Sequence, residues 1–396
     1  MIGTILSVFI LLSYFNHRET ITRLSYTQLL WNIESAFNIA QSESFIPEDN
    51  YQWKKNTFND DSIKIKKLQW GAFTLVATET KNRHQYIKKV GLFGISSFRD
   101  TAIMVSDVGR PINLAGTIKF NGYCYFPKGA YKTTFIEGQG FSADGNISGF
   151  IKQSPQNIPE VKLQFLKELE TCVTGLNSNT DSIITNIETV NNSFTSKTAI
   201  YQANQVRLEN NILIGNVKLV ISDEVIIEKS TQLEDILIVA KKVRIKKDFT
   251  GSLQIIASDS ILLEENCFLK YPSSLIVMKK SKIINEGMGT ISLDKNCKVN
   301  GSVIVINTEK TENPNVFLSI DKECEIYGLI YSSGYAGLQG KIFGNAFAQK
   351  LLLKTTSAVY ENHLLNCEID SRKYSTTIVI PAIFEKNKLN KCAKWL

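Results

Sequence analysis

The chain has 396 residues, 43% hydrophobic and 21% charged, which is globular in character and long enough for two or three domains. Its net charge is +7, but six basic residues against Glu385 in Ser371–Leu396 carry most of the excess, and only eight residues are arginine, so no broad basic field for nucleic acid is left. Seven cysteines, an odd number without a CxxC or Cys/His pair, exclude a complete disulfide framework and a cysteine-ligated zinc motif.

Residues 1–46 are expected to form a membrane anchor that continues as an amphipathic helix. Ile2–Phe15 carries no charge. As a helix it spans about 21 Å, against roughly 30 Å of bilayer hydrocarbon. No basic start or A-x-A site marks it for cleavage, so it reads as a retained signal-anchor. Tyr26, Leu30, Ile33, Phe37 and Ala40 then share one helix face, and Pro47 marks the expected end. An apolar helix running straight into an amphipathic half resembles the start of pilins and pseudopilins. That resemblance implies a single-pass protein of the bacterial inner membrane with a periplasmic body. Thr4 and Leu6 stand where a pilin usually carries a glutamate. Arg18 and Arg23, counted alone, favour a cytoplasmic body instead.

Residues 52–110 read as a small β domain. Ile63 and Ile65 alternate with lysines, Leu68, Trp70 and Ala72 alternate likewise, and Tyr86–Phe93 supplies a further strand. Residues 111–158 are punctuated by Gly116, Gly122, Gly129, Gly138, Gly140, Gly145 and Gly149, a spacing for tight corners between short strands and a possible first part of the solenoid that follows. Residues 159–203 read as an insertion: a helix marked by Leu163, Leu166 and Leu169, then the Asn/Ser/Thr-rich loop Gly175–Ser182.

From 204 to 366 one phrase recurs: VIIEK (Val225–Lys229), VRIKK (Val243–Lys247), ILLEE (Ile261–Glu265), ISLDK (Ile291–Lys295) and LSIDK (Leu318–Lys322). The third positions Ile227, Ile245 and Leu263 are 18 residues apart, and Leu293 and Ile320 follow at 30 and 27. Between copies lie alternating β-branched runs, with no helical spacing. A fixed short period in β-type sequence is the mark of a solenoid. The fold class is therefore all-β dominated: a right-handed parallel β-helix with a long N-terminal helix, a small β meander and a helical insertion. Cys267, Cys297 and Cys324 each fall four residues after the third position, which predicts a buried column of small side chains. In residues 367–396, Thr376–Phe384 is expected to cap the solenoid, with Pro381 limiting further pairing and a basic tail beyond it.

These repeats, with the glycine-centred VNGSVIV (Val299–Val305), IYGLIYSSG (Ile326–Gly334) and LQGKIFGNAF (Leu338–Phe347), resemble the bactofilins, a polymer-forming cytoskeletal β-helix family. The resemblance implies self-association through the solenoid ends. WGAF (Trp70–Phe73), YFPKGAYKTTFIEG (Tyr125–Gly138) and the terminal KWL (Lys394–Leu396) resemble a family of uncharacterised, membrane-anchored bacterial envelope proteins.

Catalytic constellations are scarce. His17, His84 and His363 each stand alone, and neither GxSxG, HExxH nor a Walker-type loop occurs. Asn59, Asp60 and Asp61 have the composition of a turn rather than a calcium loop, and Gly138-Gln139-Gly140 is too short for a nucleotide loop. The charged pairs Glu228/Lys229, Lys246/Lys247, Glu264/Glu265, Asp294/Lys295 and Asp321/Lys322 vary in sign, which reads as a solvated face fixing register. No catalytic, cofactor-binding or metal residue is assigned. The expectation is a non-catalytic scaffold of the cell envelope whose partners are the lipid bilayer, other envelope-assembly proteins and its own solenoid ends, with no nucleic acid. The competing expectation is a carbohydrate-binding or polysaccharide-degrading β-helix, for which Tyr327, Tyr331 and Tyr335 are the best aromatic candidates.

Overall fold

The computed structural model describes residues 2–42, 53–55, 61–98, 100–142, 146–174, 181–280, 287–309, 314–373, 378–385 and 388–396. The chain is mostly β, with an N-terminal helix α1 (Ile2–Gln41) and a second helix α2 (Leu163–Thr174). It divides into two compact units: Met1–Leu68 with Leu75–Gly91 and Trp395–Leu396, and Gln69–Thr74 with Leu92–Lys394.

In the first unit α1 is one continuous helix of 40 residues. Every side chain from Ile2 to Leu24 is exposed. Beyond that, Leu29, Asn32, Ile33, Ala36, Phe37 and Ala40 are buried, the i, i+3, i+4, i+7 stripe of a helix lying on a sheet. The stripe is rotated from the one expected: Ile33, Phe37 and Ala40 belong to it, while Tyr26 and Leu30 stay exposed and Leu29 takes their place. The one amide on this face is satisfied, Asn32 Nδ2 donating to Asp61 Oδ2 at 2.7 Å. The C-terminus joins here as well: Trp395 packs edge-on against Phe37 at 4.9 Å, Lys89 lies 3.8 Å over the indole, and Leu396 N donates to Val90 O. Pro47 lies outside the described residues.

The second unit is a stack of parallel strands around one core. Ile227 pairs in register with Ile245, Ile245 with Leu263, Leu263 with Leu293, Leu293 with Ile320 and Ile320 with Leu338. All six are buried, so the repeated phrase is one inward column. Two further columns explain its surroundings. The residue that turns each corner has positive φ at Asp248, Asn266, Asn296 and Glu323, and Asn266 donates to Asp248 and Asn296 to Asn266. At another corner Gly301, Gly328 and Gly344 stack in register with φ of 152°, 154° and 154°. A Cβ on Gly328 would sit 1.8 Å from the Gly301 carbonyl oxygen, so only glycine fits.

The stack is longer than residues 204–366 and is ordered differently along the chain. Asp181–Ile183, Thr189–Asn192 and Thr198–Ala203 are strands paired to it in parallel, so the expected insertion is helical only over α2. The glycine-rich segment also belongs to the stack, but at its far end. Thr101–Val105 pairs with the strand Gly340–Lys354 and Ile112–Asn121 with His363–Asp370, placing Leu114 beside Leu364 and Ile118 beside Cys367. Residues 101–153 therefore follow Asp370 in space although they precede it in sequence. They occupy the place expected for Thr376–Phe384. Of that segment, Val379–Ile380 instead pairs antiparallel with Ile95–Ser96, and Phe384 bridges to Val161.

Candidate functional site

Among the described residues, α1 carries a long run of exposed apolar side chains. Ile2, Leu6, Phe9, Ile10, Leu11, Leu12 and Phe15 are each more than half exposed, on all sides of the helix. The run's Ser7 hydroxyl donates back to Gly3 O at 2.9 Å, so it needs no water. A surface of this kind marks a membrane or partner contact. No helix of the described residues is long and apolar enough to cross a membrane.

Outside the stack's core lies a second buried column, in register from Val239 through Ile256, Ile276, Ile304 and Tyr331 to Phe347. It points away from the core yet is covered. Tyr331 donates its hydroxyl to Pro159 O at 3.1 Å, and Phe384 packs on both Tyr331 and Phe347. Strands buried on both faces explain the unbroken runs DILIVA, LIVM and VIVI. Helix α2 presents Phe165, Leu169 and Cys172 as its buried stripe: of the leucines read from sequence Leu169 belongs to it, while Leu163 is exposed and Leu166 half-buried. Beside it, where Val220, Val239, Ile256 and Met278 form an apolar floor, a cavity of about 680 Å³ remains. Of its rim charges, Lys279 pairs with Asp259 at 2.7 Å and Lys280 with Glu170 at 2.6 Å.

Two of the short motifs meet at one residue. Asp235 sits at a register shift with φ of 60°, turned out of its strand. Trp70 of WGAF donates its indole N–H to the Asp235 carbonyl at 3.1 Å, and Lys394 of KWL donates to both carboxylate oxygens at 2.8 and 2.6 Å. Gly71, with positive φ, lets the turn close onto Gln254, whose Oε1 accepts from Ala72 N. The motifs are a clamp that docks residues 69–74 and the last strand onto the stack, and the bulge at Asp235 is a signal that spacing alone does not reveal.

The third motif, Tyr125–Gly138, builds the terminal rung. Phe126 and Ile136 are buried, while Phe135 is 71% exposed and the neighbouring Phe150 66%. Among the described residues, the register of Tyr131–Thr133 is with Ile112–Leu114 and that of Ile151–Gln153 with Cys124–Phe126. Glu137 accepts from Thr355 and Ser357, which holds its carboxyl below the ordinary range. At the opposite end Asp181–Ile183 pairs with Thr198–Ile200. Among the described residues, both ends of the stack thus present strand edges.

The sequence candidates for chemistry stay apart. His17 lies on the exposed half of α1, His84 donates its backbone N–H to Asn82 Oδ1 in a turn, and His363 Nδ1 lies against Glu361 O. Among the described residues no group of three or more His, Cys, Asp and Glu is arranged to hold a metal. Asn59 and Asp60 are outside the described residues. Cys267, Cys297 and Cys324 do form the expected buried column, each thiol donating to a carbonyl of the rung before. All three are free thiols. The Cys297 neighbour together with burial pushes Cys267 and Cys324 up.

The charged pairs vary in sign unevenly along the stack. Lys246 meets Glu264 at 2.8 Å, but Glu264, Asp294 and Asp321 then follow on three successive rungs with the same sign. Burial, the Cys297 sulfur and the Asp321 and Glu264 carboxylates raise Asp294 above the usual carboxylate range. This acidic column lies at a corner, away from the 680 Å³ cavity. The aromatic candidates are spoken for: Tyr331 is buried, and Tyr327 stacks on Phe343 at 4.8 Å with Lys298 5.0 Å over its ring. No protein-family model, curated protein or solved structure matches the chain.

Proposed function

We propose that the chain is a non-catalytic scaffold of the bacterial envelope. Its N-terminal helix is seated in the inner membrane, its body lies in the periplasm, and a right-handed parallel β-helix of bactofilin-like type is offered to a pilus-like or secretion assembly. The observation that carries this reading is the all-round apolar exposure of α1 before its buried stripe begins at Leu29. Ile2–Phe15 is about 9 Å short of the hydrocarbon thickness. Helices too short for the bilayer thin it, draw in flanking residues or oligomerise, which suits a subunit seated among other helices. The in-register core columns support a stiff body, and the bare strand edges at both ends support contact with further subunits or copies of itself.

Membrane fractionation tests the seat. The full chain is expected in the detergent-soluble membrane fraction, and removal of residues 2–15 should release the body into the soluble fraction. A full-length chain that stays soluble without detergent, or a mature N-terminus beyond residue 15 in mass spectrometry, sinks the reading. A polysaccharide-active reading has one observation in its favour, the acidic column at Glu264, Asp294 and Asp321. Its test is turnover of an anionic polysaccharide or peptidoglycan that is lost in Asp294→Asn. The expected result is no turnover by either protein.

A further inference from the structure

We propose that the thiol column Cys267, Cys297 and Cys324 binds a soft monovalent cation, Cu(I), held in line between the sulfurs of two adjacent rungs. The site lies inside the stack and is independent of the membrane seat of α1.

The three cysteines are translated copies of one position. Phe268, Lys298 and Glu325 pair in register, so the residues before them are stacked as well. Lys298 N donates to Cys267 O at 2.8 Å, and Glu325 N to Cys297 O at 2.9 Å. The side chains repeat too: Cys267 Sγ donates to Lys246 O at 3.2 Å, Cys297 Sγ to Glu264 O at 3.1 Å and Cys324 Sγ to Asp294 O at 3.0 Å. One contact, repeated a rung further along each time, means one side-chain direction. The step from sulfur to sulfur is then set by the strand spacing, about 4.8 Å. The column is bounded on both sides. Phe249 occupies the rung before Cys267, where Phe268 N donates to Phe249 O. Gly340 occupies the rung after Cys324 and pairs in turn with Cys367. Cys367 is therefore two steps from Cys324, about 10 Å, too far to share an ion with it.

That step decides between the two things stacked thiols can do. A disulfide needs the Cβ atoms drawn to about 3.8 Å and the sulfurs to about 2 Å, which would pull the strands out of register. A metal–thiolate bond is about 2.3 Å long, so a two-coordinate ion needs its sulfurs about 4.6 Å apart, close to the step already present. Coordination number then selects the ion. Zinc takes four ligands in a tetrahedron, and iron–sulfur clusters take four thiolates. Among the described residues no group of three or more His, Cys, Asp and Glu surrounds one point. Of the metals that thiolates favour, Cu(I) is the one satisfied by two sulfurs in line. Each thiol follows an exposed corner residue, Asn266, Asn296 or Glu323, so the path from solvent is short. Uptake balances without electron transfer: Cu(I) and two thiols give a copper dithiolate anion and two protons. Asp294, an acidic neighbour of Cys297, opposes that anion.

Anaerobic competition for Cu(I) between the reduced full chain in detergent and the chelator bicinchoninate tests the site, after equilibration long enough for the rungs to open. The intact chain should retain one ion, and X-ray absorption should show two sulfur neighbours with no nitrogen or oxygen. Cys297→Ala should lose the ion, because each adjacent pair includes that thiol. Cys267→Ala combined with Cys324→Ala should lose it as well, and makes the same test if Cys297→Ala does not fold. Cys267→Ala alone and Cys324→Ala alone should each keep it, since one pair survives. Cys367→Ala, a buried thiol of the same core outside the column, should keep it too. Asp294→Asn should tighten retention, whereas weaker retention would make the carboxylate a ligand and overturn the two-sulfur site. No retention by the intact chain, retention by Cys297→Ala, or loss in Cys367→Ala overturns the proposal. So does a disulfide within the column of the purified protein, found by non-reducing peptide mapping, since the sulfurs would then have closed on each other rather than on a metal.

Discussion

Among the described residues, rungs between Val225 and Phe347 have a neighbour on each side, whereas those between Tyr131 and Gln153 have one on a single side. The inner rungs fill the core with Ile, Leu and Val in columns. Toward the Tyr131–Gln153 end, the strands beneath add Phe120 and Phe126, packed edge-on at 5.9 Å, to Ile112, Leu114 and Ile118, and in the end rungs Phe141 and Ile147 are only partly buried against the same core. The last layer has no further copy to cover it, so its apolar side chains stay partly exposed. In the backbone the contrast is confined to the tip. Inside the stack a glycine corner is pressed by the carbonyl of the rung before, as Gly149 is by that of Gly122, whereas Gly138 has nothing within 4 Å of where its Cβ would be.

Glycine substitution tests this contrast most severely. Gly328→Ala should cost more than about 4 kcal/mol and abolish cooperative unfolding of the stack, because the added carbon meets the Gly301 oxygen at 1.8 Å. Gly138→Ala, also at positive φ but in open space, should cost about 1 kcal/mol. Equal effects in thermal melts would mean that the end rung is as tightly built as the middle.

Core truncation comes next in size. Leu263 and Leu114 are both fully buried, and each change to alanine should cost about 2–5 kcal/mol. The distribution should differ. Leu263→Ala removes a side chain held between Ile245 and Leu293 and should lower protection throughout the stack. Leu114→Ala should loosen residues 101–153 first, since their strands pair with the stack through Gly340–Lys354 and His363–Asp370 at its end. Hydrogen exchange resolved by peptide distinguishes the two, and uniform loss in Leu114→Ala would show that the end rungs and the middle unfold as one.

The contrast also governs what was legible in the sequence. Inward columns repeat because each rung faces the same environment, so Ile227, Ile245, Leu263, Leu293 and Ile320 stood out by spacing alone. The cysteine column was readable for the same reason. Order in space was not, because periodicity is blind to which end of a stack a segment joins, and residues 101–153 mix aliphatic and aromatic inward residues, Ile103, Leu114 and Ile118 with Phe120 and Phe126. The stripe on α1 was displaced because its apolar residues are spread around the helix and only the sheet beneath decides which are covered. The clamp at Asp235 depends on a backbone bulge, which leaves no linear pattern.

The smallest expected effect concerns the acidic column, which belongs to the inner rungs alone. Asp294 stands between Glu264 and Asp321, and its carboxyl titrates above the usual range. A raised folded-state value means that the folded chain holds the proton more tightly than the unfolded chain. The resulting stabilisation is fully present below the unfolded value near pH 4 and is lost as pH rises through the folded value. At pH 7 the ionised group therefore opposes the stack. Glu264 differs: burial would raise it, but the Lys246 bond and charge bring it below its ordinary value. Asp294→Asn should thus raise the melting temperature at pH 7 by about 1 °C, the effect of a few tenths of a kcal/mol at a partly exposed site. Below about pH 4, where the wild-type group is itself neutral, the gain should vanish. Melts of both proteins from pH 3 to pH 8 check this, and a gain independent of pH would show that the amide helps by packing at the corner rather than by relieving like charges stacked rung upon rung.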